Sequence, residues 1–340
     1  MKQKGFFDEN DRLKELSTLG DPLEKLNKNI KWEGLRGILT KTFKKEAKGP
    51  GGRPPFDYVM MFKILVLQKL YNMADDKTEY QIKDRLSFQR FLGLQLCDTV
   101  PDAKTIWLFR EELNEAKILD TIFYRFVEQL EEKGIITHSG SIVDATFVDV
   151  PKQRNTKDEN DKIKEGGTPP EWEKKGNCHK KAQKDVDARW ATKNKETHYG
   201  YKNHIKIDKK SKIITKYQTT SAEVHDSQEL KNLIEAGKDK RLYGDSAYTG
   251  EEVQSCIPET TLNRIHEKGY RNNPLTKTQE RTNTAKSRIR VRVEHVFAAM
   301  NHFGGIFIRT IGIKRAKFQI GLMNLTYNLT RYTYLMGAEA

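Results

Sequence analysis

Apolar positions along the chain fall into two regimes. From Phe56 to Gly134 they recur with the period of helices, between Ser141 and Ile265 they come in short β-branched stretches, and from Ile289 the helical period returns. Residues 56–73 are apolar nearly all round, as in a buried helix. Residues 80–92 predict a helix that stops at Gly93, and Asp102 is placed to cap a third carrying Ile106, Phe109 and Leu113. A fourth carries Leu119, Ile122, Phe123, Phe126, Val127 and Leu130 and ends at Gly134.

Beyond Gly134 the pattern is mixed. The string SIVDATFVDV (141–150) predicts a strand, and residues 201–208 and 213–219 predict a hairpin turning through Lys209-Lys210-Ser211. Asp226 and Glu229 have capping-box spacing ahead of Leu230, Leu233 and Ile234. A short strand at 241–244 delivers Asp245 at its end, Thr249 and Glu252 repeat the capping-box spacing, and 261–265 predict a further strand. Ile289, Val293, Val296, Phe297 and Met300 form one helical stripe ended by Gly304-Gly305, and a last helix covers about 316–335. This order predicts an α/β fold: a mixed sheet with flanking helices, preceded by an all-α region. Three parts are expected. Residues 1–55 form a polar segment ending in GPGGRPP, 56–134 are helical, and 135–340 hold the sheet with a polar, partly mobile insertion at 151–198.

Composition narrows the class. The chain has 340 residues, 61 Lys+Arg against 47 Asp+Glu and a net charge of +14, enough length for about two domains. The start, MKQKGFFDENDRLKEL, has no apolar signal region, and the apolar run from Val59 is broken by Lys63, so no membrane span is expected. Cys97, Cys178 and Cys256 are odd in number and far apart. That argues against a disulfide framework or a zinc site, as does the isolation of the Cys178–His179 pair, and predicts reduced thiols in a cytoplasmic protein. The charge points to a polyanionic partner, nucleic acid first. Eleven basic residues against Glu280 and Glu294 lie between Arg271 and Lys317.

Three carboxylates stand out. Asp144 lies inside a strand between Val143 and Ala145, where an unpaired buried carboxylate is costly. Asp245 follows a strand at the edge where α/β sheets place ligands. Glu294 lies one helical turn after Arg290. Together they could hold two Mg²⁺ ions, hard cations that take oxygen ligands and, when about 4 Å apart, stabilise attacking and leaving oxygens in phosphoryl transfer. From the residues alone a plainer reading is the commoner one: a hydrogen-bonded strand aspartate and an Arg290–Glu294 pair on a helix face.

The strings IVDATFVD (142–149), YGDSAYTG (243–250) and RVRVEHVFAAM (290–300) resemble the three catalytic blocks of DDE transposases of bacterial insertion sequences, most nearly the insertion-sequence-five group with its ribonuclease-H-like core. The likeness extends to PPFDYVMMFKILVLQKLYNMADDKTEYQIKDRLSFQRFLGL, DARW (187–190), YGYKNHI (199–205) and SAEVHDS (221–227). It implies that Asp144, Asp245 and Glu294 are the catalytic and metal-binding triad. Two Mg²⁺ ions, for which Mn²⁺ can substitute, would serve cleavage at the element's ends and joining of the freed 3′-OH to target DNA. Arg290 matches the arginine of the family's Tyr-x2-Arg-x3-Glu-x6-Lys signature, whereas Ser287 and Asn301 stand where its Tyr and Lys are usual. Lys286, Arg288, Arg290 and Arg292 are the expected DNA contacts. Double-stranded DNA, as inverted-repeat ends and as target, is the expected partner of a homodimer or higher oligomer associated with the bacterial nucleoid. Residues 77–90, with Lys83, Arg85 and Arg90, are the expected reading helix, and Trp172 and Trp190 could stack on bases, although for Trp190 hairpin packing is the commoner explanation. His225 and His295 lie beside these blocks without an assigned role. A metal-dependent nuclease without strand transfer and a non-catalytic DNA-binding protein are the alternatives.

Overall fold

The computed structural model describes residues 8–43, 54–193 and 195–338, so most of the Gly/Pro string at 49–55 lies outside the described residues. The chain divides into two units, residues 1–122 with 325–340, and residues 123–324.

The first unit is helical. Residues 8–43, polar by composition, form α1 (Asp8–Thr18), α2 (Pro22–Asn29) and α3 (Arg36–Phe43). A few apolar positions suffice for helices this short: Leu23, Leu26, Leu39 and Phe43 are buried. Next comes α4 (Tyr58–Leu70), capped by Asp57 and buried on nearly every side as its composition demands. The single helix expected over 80–92 is two, α5 (Asp75–Asp84) and α6 (Leu86–Leu92), because Arg85 is extended at φ −107°, ψ 115°. Its guanidinium lies over the Phe88 ring, a contact that outweighs local helix propensity. As expected, Asp102 caps α7 (Ala103–Ala116), accepting from the Thr105 amide at 2.7 Å, and α8 (Ile118–Glu132) follows.

The second unit is built on six strands. They are β1 (Ser141–Asp149), β2 (Arg189–Lys193), β3 (Glu196–Asp208), β4 (Ile214–Ser221), β5 (Arg241–Tyr243) and β6 (Leu262–Asn263). The order is β2-β3-β1-β5-β6, with β4 also on β3. β1–β3, β2–β3 and β3–β4 are antiparallel, whereas β1–β5 and β5–β6 are parallel. With helices packed on it, this mixed open sheet is a ribonuclease-H-like α/β fold. Gly200 marks where β3 leaves β1. Its φ is +152° and an added Cβ would stand 2.3 Å from the Val148 carbonyl oxygen, so only glycine fits.

The polar stretch 151–198 is more structured than its composition predicts. It carries α9 (Lys157–Lys164), α10 (Cys178–Gln183) and β2, and it folds around Trp172, which is fully buried with its indole N–H on Glu159 at 2.6 Å. Neither Asp226 nor Thr249 is the N-cap of the element that follows it. A 3₁₀ turn at Asp226–Glu229 leads into α11 (Leu230–Leu233), and the cap is His225, whose Nδ1 accepts from the Ser227 amide. Gly250 precedes α12 (Glu251–Ser255) without a side-chain cap, and the Thr249 hydroxyl donates instead to the Ser246 carbonyl at 2.8 Å. The stripe around Val293 belongs to the long α13 (Lys277–His302), opened by a true capping box of Thr276 and Gln279. The last helix, α14, is Ile313–Ala338. No described helix is long and apolar enough to cross a membrane.

Candidate active site

β1 supplies Asp144. Its backbone pairs with Ile205 of β3, and its side chain is buried except for a small edge. Oδ1 accepts from the Ala145 amide at 2.8 Å, while burial pushes the carboxyl up to about 6 despite the nearby Arg290 guanidinium. Asp245 follows β5 by two residues and caps a 3₁₀ turn, accepting from the Ala247 amide at 2.9 Å. Glu294 projects from α13 and is 57% exposed.

These three groups meet at one guanidinium. Arg290 Nη1 is 3.5 Å from Asp144 Oδ2 and 3.9 Å from Asp245 Oδ2, and Nη2 is 3.6 Å from Glu294 Oε1. The helix-face pair expected of Arg290 and Glu294 is therefore real, but it is one edge of a cluster that joins β1, β5 and α13. Among the described residues no three or more His, Cys, Asp or Glu side chains form a ready metal-ligand group. The donor set is nonetheless right for a hard divalent cation. Three carboxylates, one buried, one half-buried and one exposed, stand around a single positive charge that a cation could replace.

A second, buried network sets the position of β5, which pairs with β1 through only two residues. The Asp239 carboxylate accepts from Ser141 Oγ at 2.6 Å, from Lys206 Nζ at 3.1 Å and from the Glu235 amide at 2.9 Å. Its backbone carbonyl accepts from Thr261 Oγ1 at 2.6 Å. Lys206 also reaches Glu235 at 2.7 Å. Asp239 thus ties β1, β3 and the approach to β5 together through its carboxylate and the approach to β6 through its backbone carbonyl, next to the strand that Asp245 follows.

The expected DNA contacts divide. Arg288 is exposed, whereas Arg290 is engaged by the carboxylates. Arg292 donates to the Lys209 carbonyl at 2.6 Å. Lys286 turns inward: it is buried and its ammonium donates to the Ile265 carbonyl at 2.8 Å. Within 77–90, Lys77 is exposed, Lys83 forms an exposed pair with Glu79 at 2.7 Å, and Arg90 is held by Asp21 at 2.6 Å as well as by Ser17 and the Leu13 carbonyl. His295 is exposed on α13.

Two neighbours were not legible as site residues. His266 follows β6, and its Nε2 lies 3.4 Å from the hydroxyl of Ser287. Burial and the charges of Arg290 and Lys286 hold its pKa below the usual imidazole value. Tyr248, in the 3₁₀ turn after Asp245, is buried with a hydroxyl that lacks a hydrogen-bond partner. Its pKa is driven far up by burial and by Asp144, Asp226 and Asp245. No sequence signal isolates His266; Tyr248 lies in YGDSAYTG but reads as core.

The family model described as Transposase DDE domain matches residues 136–329, and the one described as Transposase domain matches residues 11–112. No solved structure matches the chain. With more than half its length under the first model, and with two aspartates and a glutamate gathered from β1, the end of β5 and α13, the chain belongs to the DDE transposases of insertion elements.

Proposed function

We propose that this transposase binds the terminal inverted repeats of its element, cuts the DNA ends and joins the freed 3′-OH to target DNA, with Asp144, Asp245 and Glu294 as its catalytic carboxylates. The observation that carries this reading is the convergence of the three side chains on Arg290. Membership of the family implies DNA as the partner and a divalent metal as the cofactor. We take the metal to be Mg²⁺, as two ions, with Mn²⁺ able to replace it. Asp144, Asp245 and Glu294 would hold it, and it would supply Lewis-acid activation of the attacking oxygen and charge neutralisation at the phosphate.

The chain's own residues do the positioning. Asp144 is fixed by its strand and by the Ala145 amide, and Asp245 by its turn and by the Asp239 network. Glu294 lies on the exposed side of α13, where it is free to swing with its long side chain. Arg290 is held by oxygens that a cation would also take, and its planar fork suits a phosphate. Arg288, exposed one turn before Arg292 on the same helix, contacts the backbone of the bound DNA. The chain acts as a dimer or higher oligomer, since two element ends must be handled together.

Strand transfer separates this function from that of a nuclease. Duplexes ending in a precut inverted repeat, incubated with the chain, Mg²⁺ and a supercoiled plasmid, are expected to become joined to the plasmid. Cleavage of uncut ends without any joined product contradicts the proposal and favours the nuclease.

A further inference from the structure

β1 and β5 pair only through Ser141 with Leu242 and Ile142 with Tyr243. Asp144 and Asp245 follow directly, where that ladder ends. The ring of Tyr248 lies beneath the same place. A Cβ at Gly244 would meet Tyr248 Cδ2 at 3.1 Å and Val143 Cγ2 at 3.2 Å, so the ring packs by the residues that immediately precede the two aspartates. It belongs to the apolar cluster of Val143, Leu242 and Ile265 and is 1% exposed. It is also tied to Asp245, whose carbonyl accepts from the Tyr248 amide at 3.3 Å and whose carboxylate caps the same turn.

A buried tyrosine usually gives its hydroxyl hydrogen to an acceptor. Tyr248 Oη has no hydrogen-bond partner among the described residues. A buried donor left unmade is costly, and one kept beside a reactive site points to an acceptor gained in another state of that site. Burial, and then the charges of Asp144, Asp226 and Asp245 in that order, hold its pKa well above the usual phenol value. At neutral pH the group is therefore a donor and not an anionic ligand. Of these carboxylates, Asp226 is matched by Lys202 at 2.8 Å and Lys193 at 3.7 Å. The Asp245 side chain is 24% exposed and can be served by water. Asp144 has the least. Its side chain is 11% exposed, Oδ1 takes one amide at 2.8 Å, and Oδ2 has the Arg290 guanidinium at 3.5 Å. A carboxylate has room for about four donors.

We propose that Tyr248 is a positioning residue of the metal site: its hydroxyl donates to the Asp144 carboxylate when a divalent cation takes over the compensation that Arg290 now supplies. This rests on the metal-site reading given under the proposed function. The hydroxyl fixes the direction in which Asp144 offers its oxygens, which the Ala145 amide alone does not do. Asp144 can turn to meet it, because among the described residues Oδ2 is held by nothing closer than the 3.5 Å contact with Arg290. The bond is unmade in the metal-free chain and made in the loaded one.

The test is Tyr248→Phe, which removes the hydroxyl and keeps the ring. Mn²⁺ binding to the full chain is titrated through the electron paramagnetic resonance signal of the free ion, and melting temperature without metal is measured alongside. Without metal the variant should melt no lower than the wild type, since it loses no bond. Its Mn²⁺ affinity should fall by about ten- to a hundredfold, the usual loss when the partner of a metal-binding side chain is removed. Asp144→Asn, the reference, should lose this binding. Wild-type Mn²⁺ affinity in Tyr248→Phe overturns the proposal alone. A lower metal-free melting temperature also overturns it, because the hydroxyl would then be bonded without metal and its role merely structural. A wild-type chain that binds no Mn²⁺, or whose binding survives Asp144→Asn, overturns the metal-site reading beneath it.

Discussion

Replacing Lys206 by Met should destabilise the sheet unit more than any exposed charge could. The Lys206 side chain is 1% exposed and that of Asp239 is fully buried, 3.1 Å away, with Glu235 at 2.7 Å. Methionine keeps the volume and removes the charge, so Asp239 is left buried with only Ser141 Oγ and the Glu235 amide as donors. Removing one partner of such a pair costs about 3–5 kcal/mol. With a urea m-value of roughly 2–3 kcal/mol/M, the midpoint of the sheet unit should fall by about 1–2.5 M, read by circular dichroism. Lys83→Met is the control: that lysine is 56% exposed and its pair with Glu79 is worth less than about 1 kcal/mol. Because Asp239 ties β5 to β1, the variant should also lose DNA cleavage below its melting point. A loss of under about 1 kcal/mol, or full cleavage, would refute the role given to this network.

Further outcomes follow from the same contacts. His204 is buried with Nε2 on Thr220 Oγ1, and burial holds its pKa down at about 4, below the unfolded value near 6.5. Its neutral form is the folded one, so its contribution is full above about pH 6.5 and is lost as pH falls toward 4, by about 3 kcal/mol in all. Urea midpoints at pH 7.5 and 4.5 should therefore differ less in His204→Gln than in the wild type. Arg90→Ala should cost the helical unit about 2–3 kcal/mol through its part-buried bonds to Asp21, Ser17 and Leu13, with specific DNA affinity unchanged under native conditions; a selective loss of affinity would mark it as a reading residue. The affinity for end DNA should fall linearly on a log–log plot against salt. Arg288→Ala should flatten that slope by about 0.9, one phosphate contact, whereas Lys286→Ala should lower stability and leave the slope alone.

How much of this the sequence could disclose depends on where each residue's partner lies. β1 is legible because its β-branched run has no helical alternative, and Asp245 because a short strand ends just before it. Asp102 and the α7 start are legible because cap and helix are local. The break at Arg85 is not, since the Phe88 ring that holds the guanidinium has the same helical character as its surroundings. His225 takes the cap that Asp226 would provide because Asp226 is drawn away by Lys202 at 2.8 Å, a partner two strands earlier in the chain. Strand β2 was hidden by its polarity: Arg-Trp-Ala-Thr-Lys is an edge strand with half its side chains in water. Lys286 read as one cation among many on α13, and only the tertiary position of the Ile265 carbonyl reveals that it points inward. The three carboxylates could be named from their blocks, but not that one guanidinium would join them.

The central claim is that Asp144, with Asp245 and Glu294, forms the catalytic centre. It is tested most directly by Asp144→Asn, which keeps the shape of a buried side chain and removes its charge. Metal-dependent cleavage of inverted-repeat duplexes by this variant should fall by at least about a thousandfold, while its binding to the same duplex in Ca²⁺ and its melting temperature stay close to wild type. Cleavage at the wild-type rate would contradict the assignment of the site.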